Sequence, residues 1–534
     1  MINCLKRNLS ILIVAILALG LIILNVKLNF IIMGADNASP YFNPIQILSR
    51  IKDTSAVIFG GIVFQVPFLQ TLKLIGLNPE IISNIYVFSN FFFGVIGIAL
   101  IIRKQTHNFW ATILGSLIFI TSLFTFFIFS QPNFLFIAAY GSIPMLIYIL
   151  SRNKLNWYHW VLLVLFSISF LTTTLNIVAF GLYWFQVLVL SQILVKDKNL
   201  WKRNLLWGIG IVLVWLATIQ SIMMINGDYK LFIVNIYNYT QDLLTNAYMS
   251  TVTSGILASE KTNSLVRTFQ FALGWMELHN SSNQPIFEFY STYRENILYT
   301  ILGIVPFLLS LLIIVFKKSK KYLLLLLVLF LFVLASSGVG MSIIEKIPYL
   351  SSGLRWASSK LWPMYVIPIT ILSSVVIAEI IKGKKLLSKL VFLIPLVAIL
   401  GIYSYPILNG HLISQKVLVN VPTEYYNLPT DSKILVLPHP QKLYMRDFEW
   451  GYYGSDFLSY LNSSQIVDGA NMYEYATEYE QILESGIIPS DIHYVMYNTS
   501  AEINLDNDLK RKSLELIKDL KPLNSNQYFT LYEK

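Results

Sequence analysis

Long runs of apolar residues, separated by short polar stretches, recur along residues 1–408. Each run is about 20 residues long, the length that an α-helix needs to cross a bilayer. The pattern therefore predicts about eleven transmembrane helices in a polytopic α-helical membrane protein. The predicted spans are 9–26, 81–102, 110–129, 133–150, 157–174, 177–195, 205–225, 297–316, 322–337, 361–381 and 386–408. The first run lacks a small-residue cleavage site, so we expect a retained anchor and not a removed signal peptide.

The composition agrees with this prediction. The 534 residues are 55% hydrophobic and only 13% charged, and the mean hydropathy is +0.61. Soluble globular proteins carry roughly 25% charged residues. The single cysteine, Cys4, permits neither an intrachain disulfide nor a cysteine-based metal site.

The formal charge of +10 indicates topology and not nucleic-acid binding. Basic residues are concentrated in short loops between apolar runs, at 103–104, 152–154, 196–203, 317–321 and 382–389. Loops of this kind stay in the cytoplasm. We therefore expect a cytoplasmic N-terminus, a first outer loop at 34–80, a long outer loop at 226–296 and another at 338–360.

The apolar stretch 56–72 is short and contains Gln65 and Pro67. If it spanned the bilayer, every later basic loop would change sides. We therefore interpret it as a helix that lies along, or dips into, the outer face.

Residues 409–534 have a different pattern, with more acidic than basic residues. Strand-like segments at 433–437, 493–497 and 528–532 alternate with helix-like segments at 473–484 and 508–520. This alternation predicts a small α/β domain. The parity of the spans places that domain outside the cell.

The distribution of polar residues limits the chemistry. The cytoplasmic loops are too short for a nucleotide-binding domain, and no Walker A or dinucleotide-binding pattern occurs. This argues against an ATP-driven pump and against direct use of a nucleotide sugar. A polyprenyl-phosphate-linked sugar is already in the membrane, and its phosphate is a leaving group. Its transfer needs a base for the acceptor hydroxyl and cations for the phosphate.

Candidates for these roles lie in the predicted outer loops. Asp36 follows the first span and is the candidate base; the alternative is a turn or helix cap. Arg355 and Lys360 precede a span and are the candidate phosphate ligands. Lys27, near the outer end of the first span, is a third candidate. For these cations the alternative is snorkelling at the membrane surface.

Glu277 and His279 share the long outer loop and are candidates for binding an acceptor or a divalent cation. A Glu and a His this close together also occur by chance. The sequence offers no secure set of metal ligands, so dependence on a cofactor stays open.

Several short motifs resemble those of the GT-C superfamily of membrane glycosyltransferases. The motifs are Gly34-Ala35-Asp36-Asn37 after the first span, Leu354-Arg355-Trp356-Ala357-Ser358-Ser359-Lys360 before a later one, and Ile434-Leu435-Val436-Leu437-Pro438 in the C-terminal part. The chain is most similar to the arabinofuranosyltransferase-related and lipoteichoic-acid-glycosylating members. The resemblance implies catalysis by Asp36 with a polyprenyl-phosphate-sugar donor. Asn37 and Ala38 follow Asp36 where many relatives have a second acid.

The sequence thus favours a glycosyltransferase that moves a hexose or pentose to a cell-envelope glycan, lipid or protein on the outer face. Two alternatives stay open: a transporter or flippase of a lipid-linked glycan, and a non-catalytic envelope assembly protein. A transferase predicts that Asp36, Arg355 and Lys360 share one outer pocket. A transporter predicts a polar path through the spans.

Overall fold

The fold is taken from a computed structural model. It describes residues 2–34, 41–49, 51, 61–175, 177–195, 200–237, 264–271, 287–289, 291–317, 319–346, 357–430, 432–438, 445–455, 457–461, 465–467, 476–501 and 507–534. Statements below refer to these residues.

Most of the described chain is helical. The helices of eight or more residues are α1 (Ile2–Asn25), α2 (Val66–Leu74), α3 (Pro79–Thr106), α4 (Phe109–Ile120), α5 (Leu123–Ser130), α6 (Phe134–Leu150), α7 (Trp157–Leu171), α8 (Ile177–Ile193), α9 (Leu200–Ile225), α10 (Ile297–Leu311), α11 (Lys320–Ser336), α12 (Pro363–Ile381), α13 (Leu386–Tyr403), α14 (Ala476–Ser485) and α15 (Asn507–Ile517).

Shorter helical segments complete the connections. They are Gln46–Ser49, Ile62–Gln65, Thr172–Leu175, Leu265–Gln270, Ser291–Glu295, Ile313–Phe316, Gly338–Ile344, Ala357–Lys360, Tyr405–Leu408, Gln415–Val417, Thr423–Asn427, Leu458–Leu461 and Thr499–Ala501.

Asparagine side chains begin several of the apolar helices. Asn78, Asn108, Asn133 and Asn296 each accept a hydrogen bond from a backbone N–H in the first turn of α3, α4, α6 and α10. These first-turn N–H groups have no partner within the helix, so a side-chain oxygen at this position fixes the start of the helix.

Within the described part of the chain, six helices are long and apolar enough to cross a membrane, and eight spans result if two bent pairs are each counted as one. The chain is a multi-pass membrane protein. The bent pairs are α4 with α5 (47°) and α11 with Gly338–Ile344 (74°). Three further predicted spans correspond to α6, α7 and the apolar helix Phe180–Ile193, which are shorter than 18 residues. The count of about eleven therefore stays a prediction.

The basic loops meet at one end of the helix bundle. The Lys104 ammonium donates to Ser151 Oγ (3.0 Å), and Lys321 donates to Gln105 Oε1 (2.6 Å). Arg203 donates to the Leu150 carbonyl (2.8 Å). The 28 residues of α3 span about 42 Å at 1.5 Å per residue, so the start of α3 lies far from this end.

The apolar stretch before α3 lies along the opposite end of the bundle. Gln65 donates to Thr172 at the end of α7, and α2 leads directly to the start of α3. Both ends of the helix Ile62–Leu74 are thus on the side away from the basic loops. This helix is shorter than 18 residues, like three helices that coincide with predicted spans, and our interpretation of 56–72 stays a prediction.

The C-terminal part contains a five-stranded sheet of order β6-β3-β7-β9-β8. The strands of the chain are β1 (Ile31–Ile32), β2 (Leu418–Val419), β3 (Lys433–Leu437), β4 (Met445–Asp447), β5 (Tyr453–Ser455), β6 (Gln465–Val467), β7 (Tyr494–Tyr497), β8 (Lys521–Ser525) and β9 (Thr530–Glu533). Strand β3 is parallel to β6 and β7, whereas β9 is antiparallel to β7 and β8. Two antiparallel pairs, β1 with β2 and β4 with β5, are separate from this sheet.

Alternation along β3 explains how the sheet packs. Leu435 and Leu437 share an apolar cluster with Tyr479 of α14 and Ile517 of α15. Ile434 and Val436 belong instead to the large core that includes the helix bundle. Successive strand residues point to opposite faces, so one face packs on helices and the other on the rest of the protein. The division into residues 1–408 and 409–534 as domains stays a prediction.

Candidate functional site

The predicted site residues fall into two groups. Asp36, Arg355, Glu277 and His279 lie outside the described residues. Lys27 and Lys360 lie within them. The described residues on either side of the first four show which elements hold each predicted segment, and the geometry is therefore built from those residues.

The chain that leads to Asp36 is held tightly against the start of α3. Asn84 accepts from the Lys27 N–H (3.1 Å) and donates to the carbonyls of Lys27 (3.1 Å) and Phe30 (3.2 Å). Ser83 Oγ accepts from the Ile32 N–H (3.1 Å). Two polar side chains of one helix thus fix the backbone that leaves α1.

Strand pairing extends this anchor to the residue before Gly34. Ile31 and Ile32 pair with Val419 and Leu418, and the Met33 N–H donates to the Val417 carbonyl (2.9 Å). Asp36 follows Gly34 by two residues. The segment 35–40 therefore starts from a backbone that is fixed on both sides by hydrogen bonds.

The other end of that segment is equally well held. Tyr41 is buried, with its ring 5.6 Å from that of Phe134. Lys73 donates to the Phe42 carbonyl (2.6 Å). Further along, the Asn226 amide at the end of α9 donates to the Leu48 carbonyl (2.6 Å).

Lys27 is half-buried close to Gly410. A Cβ placed on Gly410 would lie 3.9 Å from the Lys27 Nζ. Next to it, the Asn25 amide donates to the Ile407 carbonyl (2.9 Å), and the Leu412 N–H donates to Asn25 Oδ1 (2.8 Å). The C-terminal end of α1 is thus joined to the chain that enters the C-terminal part.

The bend between α5 and α6 is central to the arrangement. We call residues Leu123–Tyr140 the elbow. All eight residues of α5 are buried, although hydropathy alone makes this segment the end of a span. Ser122 begins α5 by accepting from the Thr125 N–H (3.2 Å).

The long outer loop reaches the elbow on both sides of Glu277 and His279. Phe271 lies 5.3 Å from Phe124, and Phe287 lies 5.2 Å from Phe126, measured between ring centroids. These two residues immediately flank the segment 272–286 that contains the predicted pair.

The segment that contains Arg355 and Lys360 is attached to the same elbow. Trp362 is fully buried and stacks on Phe124 at 4.4 Å, with Tyr140 at 6.2 Å. The Gln186 amide donates to the Lys360 carbonyl (2.8 Å), and Tyr183 donates to the Ser359 carbonyl (2.8 Å). Three predicted site segments are therefore bounded by residues that pack on one elbow.

Burial distinguishes the two described lysines. Lys360 is 6% exposed, whereas a snorkelling lysine keeps its ammonium in water. The structure therefore disfavours snorkelling for Lys360. For the half-buried Lys27 both interpretations stay open.

Two acids close to the predicted site segments, Glu80 and Glu288, lie within the described residues. Glu80 lies in the first turn of α3, and its carbonyl accepts from the Asn84 amide (2.8 Å). Burial of the hydroxyl, with the nearby Glu80 charge, raises the pKa of Tyr426 to about 12. Glu288 accepts from the Gln415 N–H (3.2 Å). Within the described ranges, no three His, Cys, Asp or Glu residues form a group able to hold a metal ion.

Comparison with known proteins identifies the fold. No family model matches the chain, and no curated protein matches its sequence. Among solved structures, the arabinofuranosyltransferase AftD from Mycobacteria superposes with a TM-score of 0.58 at 12% identity. The chain shares the fold of this arabinofuranosyltransferase. A mutant form of AftD superposes with a TM-score of 0.53, also at 12% identity.

The coverage of this match is uneven. The match with AftD covers 98% of this chain but only 40% of AftD. The match with the mutant form covers 98% of this chain and 41% of the mutant chain. The chain thus spans about two fifths of the length of AftD. At this identity the match establishes the fold of the chain.

The sequence pattern does not distinguish the residues that organise this site from other residues of the predicted spans. Asn84 and Ser83 were assigned to a predicted span at 81–102, and Phe124 to another at 110–129. The sequence does contain a signal, because Ser83 and Asn84 are two adjacent polar residues in an apolar run, and Ser122 is of a type that often begins a helix.

Proposed function

We propose that the protein is a membrane glycosyltransferase. It would transfer one sugar from a polyprenyl-phosphate-linked donor to a glycan, lipid or protein of the cell envelope, on the face opposite the basic loops. The fold shared with AftD supports the class of enzyme. The donor, the acceptor and the face are the specific content of the proposal.

One observation supports the assignment of this function to particular residues. Tyr41, Phe271, Phe287 and Trp362 bound the segments that contain Asp36, Glu277, His279 and Arg355, and each packs on the elbow Leu123–Tyr140. Phe134 and Tyr140, which contact Tyr41 and Trp362, are about 9 Å apart along α6 at 1.5 Å per residue. A sugar phosphate of ordinary size can bridge segments at this spacing.

The chemistry assigned to these residues is a displacement at the anomeric carbon. Asp36 accepts the proton of the acceptor hydroxyl, and the acceptor oxygen bonds to the anomeric carbon. The bond from that carbon to the phosphate oxygen breaks, and the polyprenyl phosphate leaves with the electron pair. Arg355, Lys360 and Lys27 stabilise the charge on the departing phosphate.

The remaining candidates are assigned to the acceptor side. Glu277 and His279 would bind acceptor hydroxyls or a divalent cation. The C-terminal part of the chain would position an extended acceptor, because its strand β2, which is separate from the five-stranded sheet, pairs with β1, the strand that leads to Asp36. Because Lys360 is buried, we assign it to binding the desolvated phosphate of the donor and not to anchoring the protein at the membrane surface.

The test is sugar transfer in membranes with a panel of labelled polyprenyl-phosphate sugars. Asp36→Asn keeps the size of the side chain and removes the base, so transfer should fall at least about 100-fold while donor binding is retained. Asp53→Asn makes the same change elsewhere in the first outer loop and should keep wild-type transfer.

Two results would contradict the assignment. Equal transfer by Asp36→Asn and the wild type would remove Asp36 from the chemical step. Movement of intact lipid-linked glycan across the bilayer, without sugar transfer to any acceptor, would favour a flippase.

A further inference from the structure

A second site lies at the other end of the bundle, where the basic loops meet. The Lys104 ammonium, in the last turn of α3, contacts the Ser151 carbonyl and hydroxyl. Arg152 donates to the Tyr148 hydroxyl, and its guanidinium carbon lies 5.3 Å from the centre of that ring. These cations are therefore oriented by a hydroxyl, a carbonyl and a ring face, none of which carries a full negative charge.

Neighbouring cations add to the positive field. Arg152 and Lys321 are within electrostatic range of Lys104. Arg203 lies against the same turn, since it donates to the Arg152 carbonyl (3.0 Å). Bringing like charges together costs free energy, which an anion bound between them would recover.

The same face also shows how such charge is neutralised elsewhere. Glu379 pairs with Lys317 at 2.9 Å and with Lys382 at 3.6 Å. The pair Lys104 and Arg152 makes no comparable contact with a carboxylate of the described chain, although both side chains are partly accessible.

Exposed tryptophans set the depth of this cluster. Trp157, Trp160 and Trp201 are 78%, 42% and 37% exposed and begin α7 and α9 next to the basic loops. Exposed tryptophans of membrane proteins sit at the level of the lipid headgroups. Lys104 is also near the end of a candidate span, Pro79–Thr106.

From this placement, we propose that Lys104 and Arg152 bind the phosphate of an anionic phospholipid headgroup. An ammonium and a guanidinium together offer several charge-assisted donors to a tetrahedral oxyanion. Basic clusters at the ends of helices bind anionic headgroups, and each cation contributes about fivefold in affinity. The bound lipid would join the inner ends of α3, α6 and α9.

The test is retention of lipid by the purified full-length protein, measured by native mass spectrometry. Phosphatidylglycerol should be retained more tightly than phosphatidylcholine, and high salt should weaken that preference. K104Q/R152Q should lower phosphatidylglycerol retention roughly 25-fold, two steps of about fivefold. K384Q/K385Q removes two exposed charges from the same face and should keep the preference.

Each contrary result has a defined meaning. Equal loss in K384Q/K385Q would reduce the effect to overall charge and overturn the site. Unchanged retention in K104Q/R152Q, with wild-type elution and melting, would also overturn it. Displacement of phosphatidylglycerol by equimolar inorganic phosphate would assign the site to a soluble anion. None of these readouts depends on sugar transfer, so the proposed function stands or falls separately.

Discussion

At the scale of single residues, Asn84 has the most consequential contacts near the candidate site. Its side chain bonds the backbone of Lys27 twice and that of Phe30 once, across more than 50 positions of sequence. It also bonds Glu80 of its own helix. A buried amide with this many partners fixes backbone position more firmly than apolar packing does, because each bond is directional.

We predict that Asn84→Ala loosens the chain that leads to Asp36. Losing these bonds leaves buried backbone groups unsatisfied, at a cost of about 1–3 kcal/mol. Transfer should fall about 10- to 100-fold, since small displacements of a catalytic group cost this much. Thermal unfolding and transfer rates, both in one detergent, measure the two effects.

Ser89→Ala is the control, because among the described residues Ser89 Oγ bonds only the Tyr86 carbonyl of the same helix (3.1 Å). It should change neither quantity appreciably. If Asn84→Ala keeps wild-type transfer, the anchor is not needed to hold Asp36.

At the scale of elements, α3 and α6 carry the candidate site at one end and the basic cluster at the other. They pack closely because small residues face each other. A Cβ on Gly97 would lie 2.7 Å from the Met145 nitrogen, and one on Gly141 would lie 2.4 Å from Asn90 Oδ1. Close approach of backbones is a common basis of helix association in membranes.

Gly97→Ala should therefore destabilise the protein by about 1–3 kcal/mol, as overpacking does. Two of the three obstructing atoms belong to the backbone of α6 and the third is the Cβ of the Pro144 ring, so none can move aside as a flexible side chain would. Gly210→Ala is the control, because nothing lies within 4 Å of a Cβ there. Its better helix propensity makes it neutral or slightly stabilising. A lower melting temperature for Gly210→Ala than for Gly97→Ala would refute the packing argument.

The hydropathy pattern did not predict two bends, one between α4 and α5 and one between α11 and Gly338–Ile344. Apolar runs predicted helices at nearly every position, because burial in lipid or protein requires internally bonded backbone. Both sides of the break at Thr121 are apolar, however, so averaging hydropathy over 110–129 merges two helices. The strand at 433–437 occurs where the sequence predicts it, since a short apolar run that ends at a proline is typical of a buried strand.

At the scale of the whole molecule, the candidate site could be predicted only as a set of loops. The sequence placed Asp36, Arg355, Glu277 and His279 on one predicted face. It gave no sign that residues flanking them share the elbow, because Tyr41, Phe271 and Trp362 are far apart in sequence and look like ordinary apolar positions. Such long-range contacts depend on helix packing, which periodicity within one segment does not record.

Membrane orientation is a whole-molecule prediction that the single native cysteine makes testable. In a Cys4→Ser background, we expect Lys521→Cys in the sheet to react with an impermeant maleimide in intact cells. Lys154→Cys, in a basic loop, should react only after permeabilisation. Both positions are exposed, so a difference in labelling reports the side of the membrane and not burial. If Lys154→Cys is labelled in intact cells and Lys521→Cys is not, the topology is the inverse of the predicted one. It would place the elbow and Asp36 on the cytoplasmic face, where a nucleotide sugar becomes the more accessible donor.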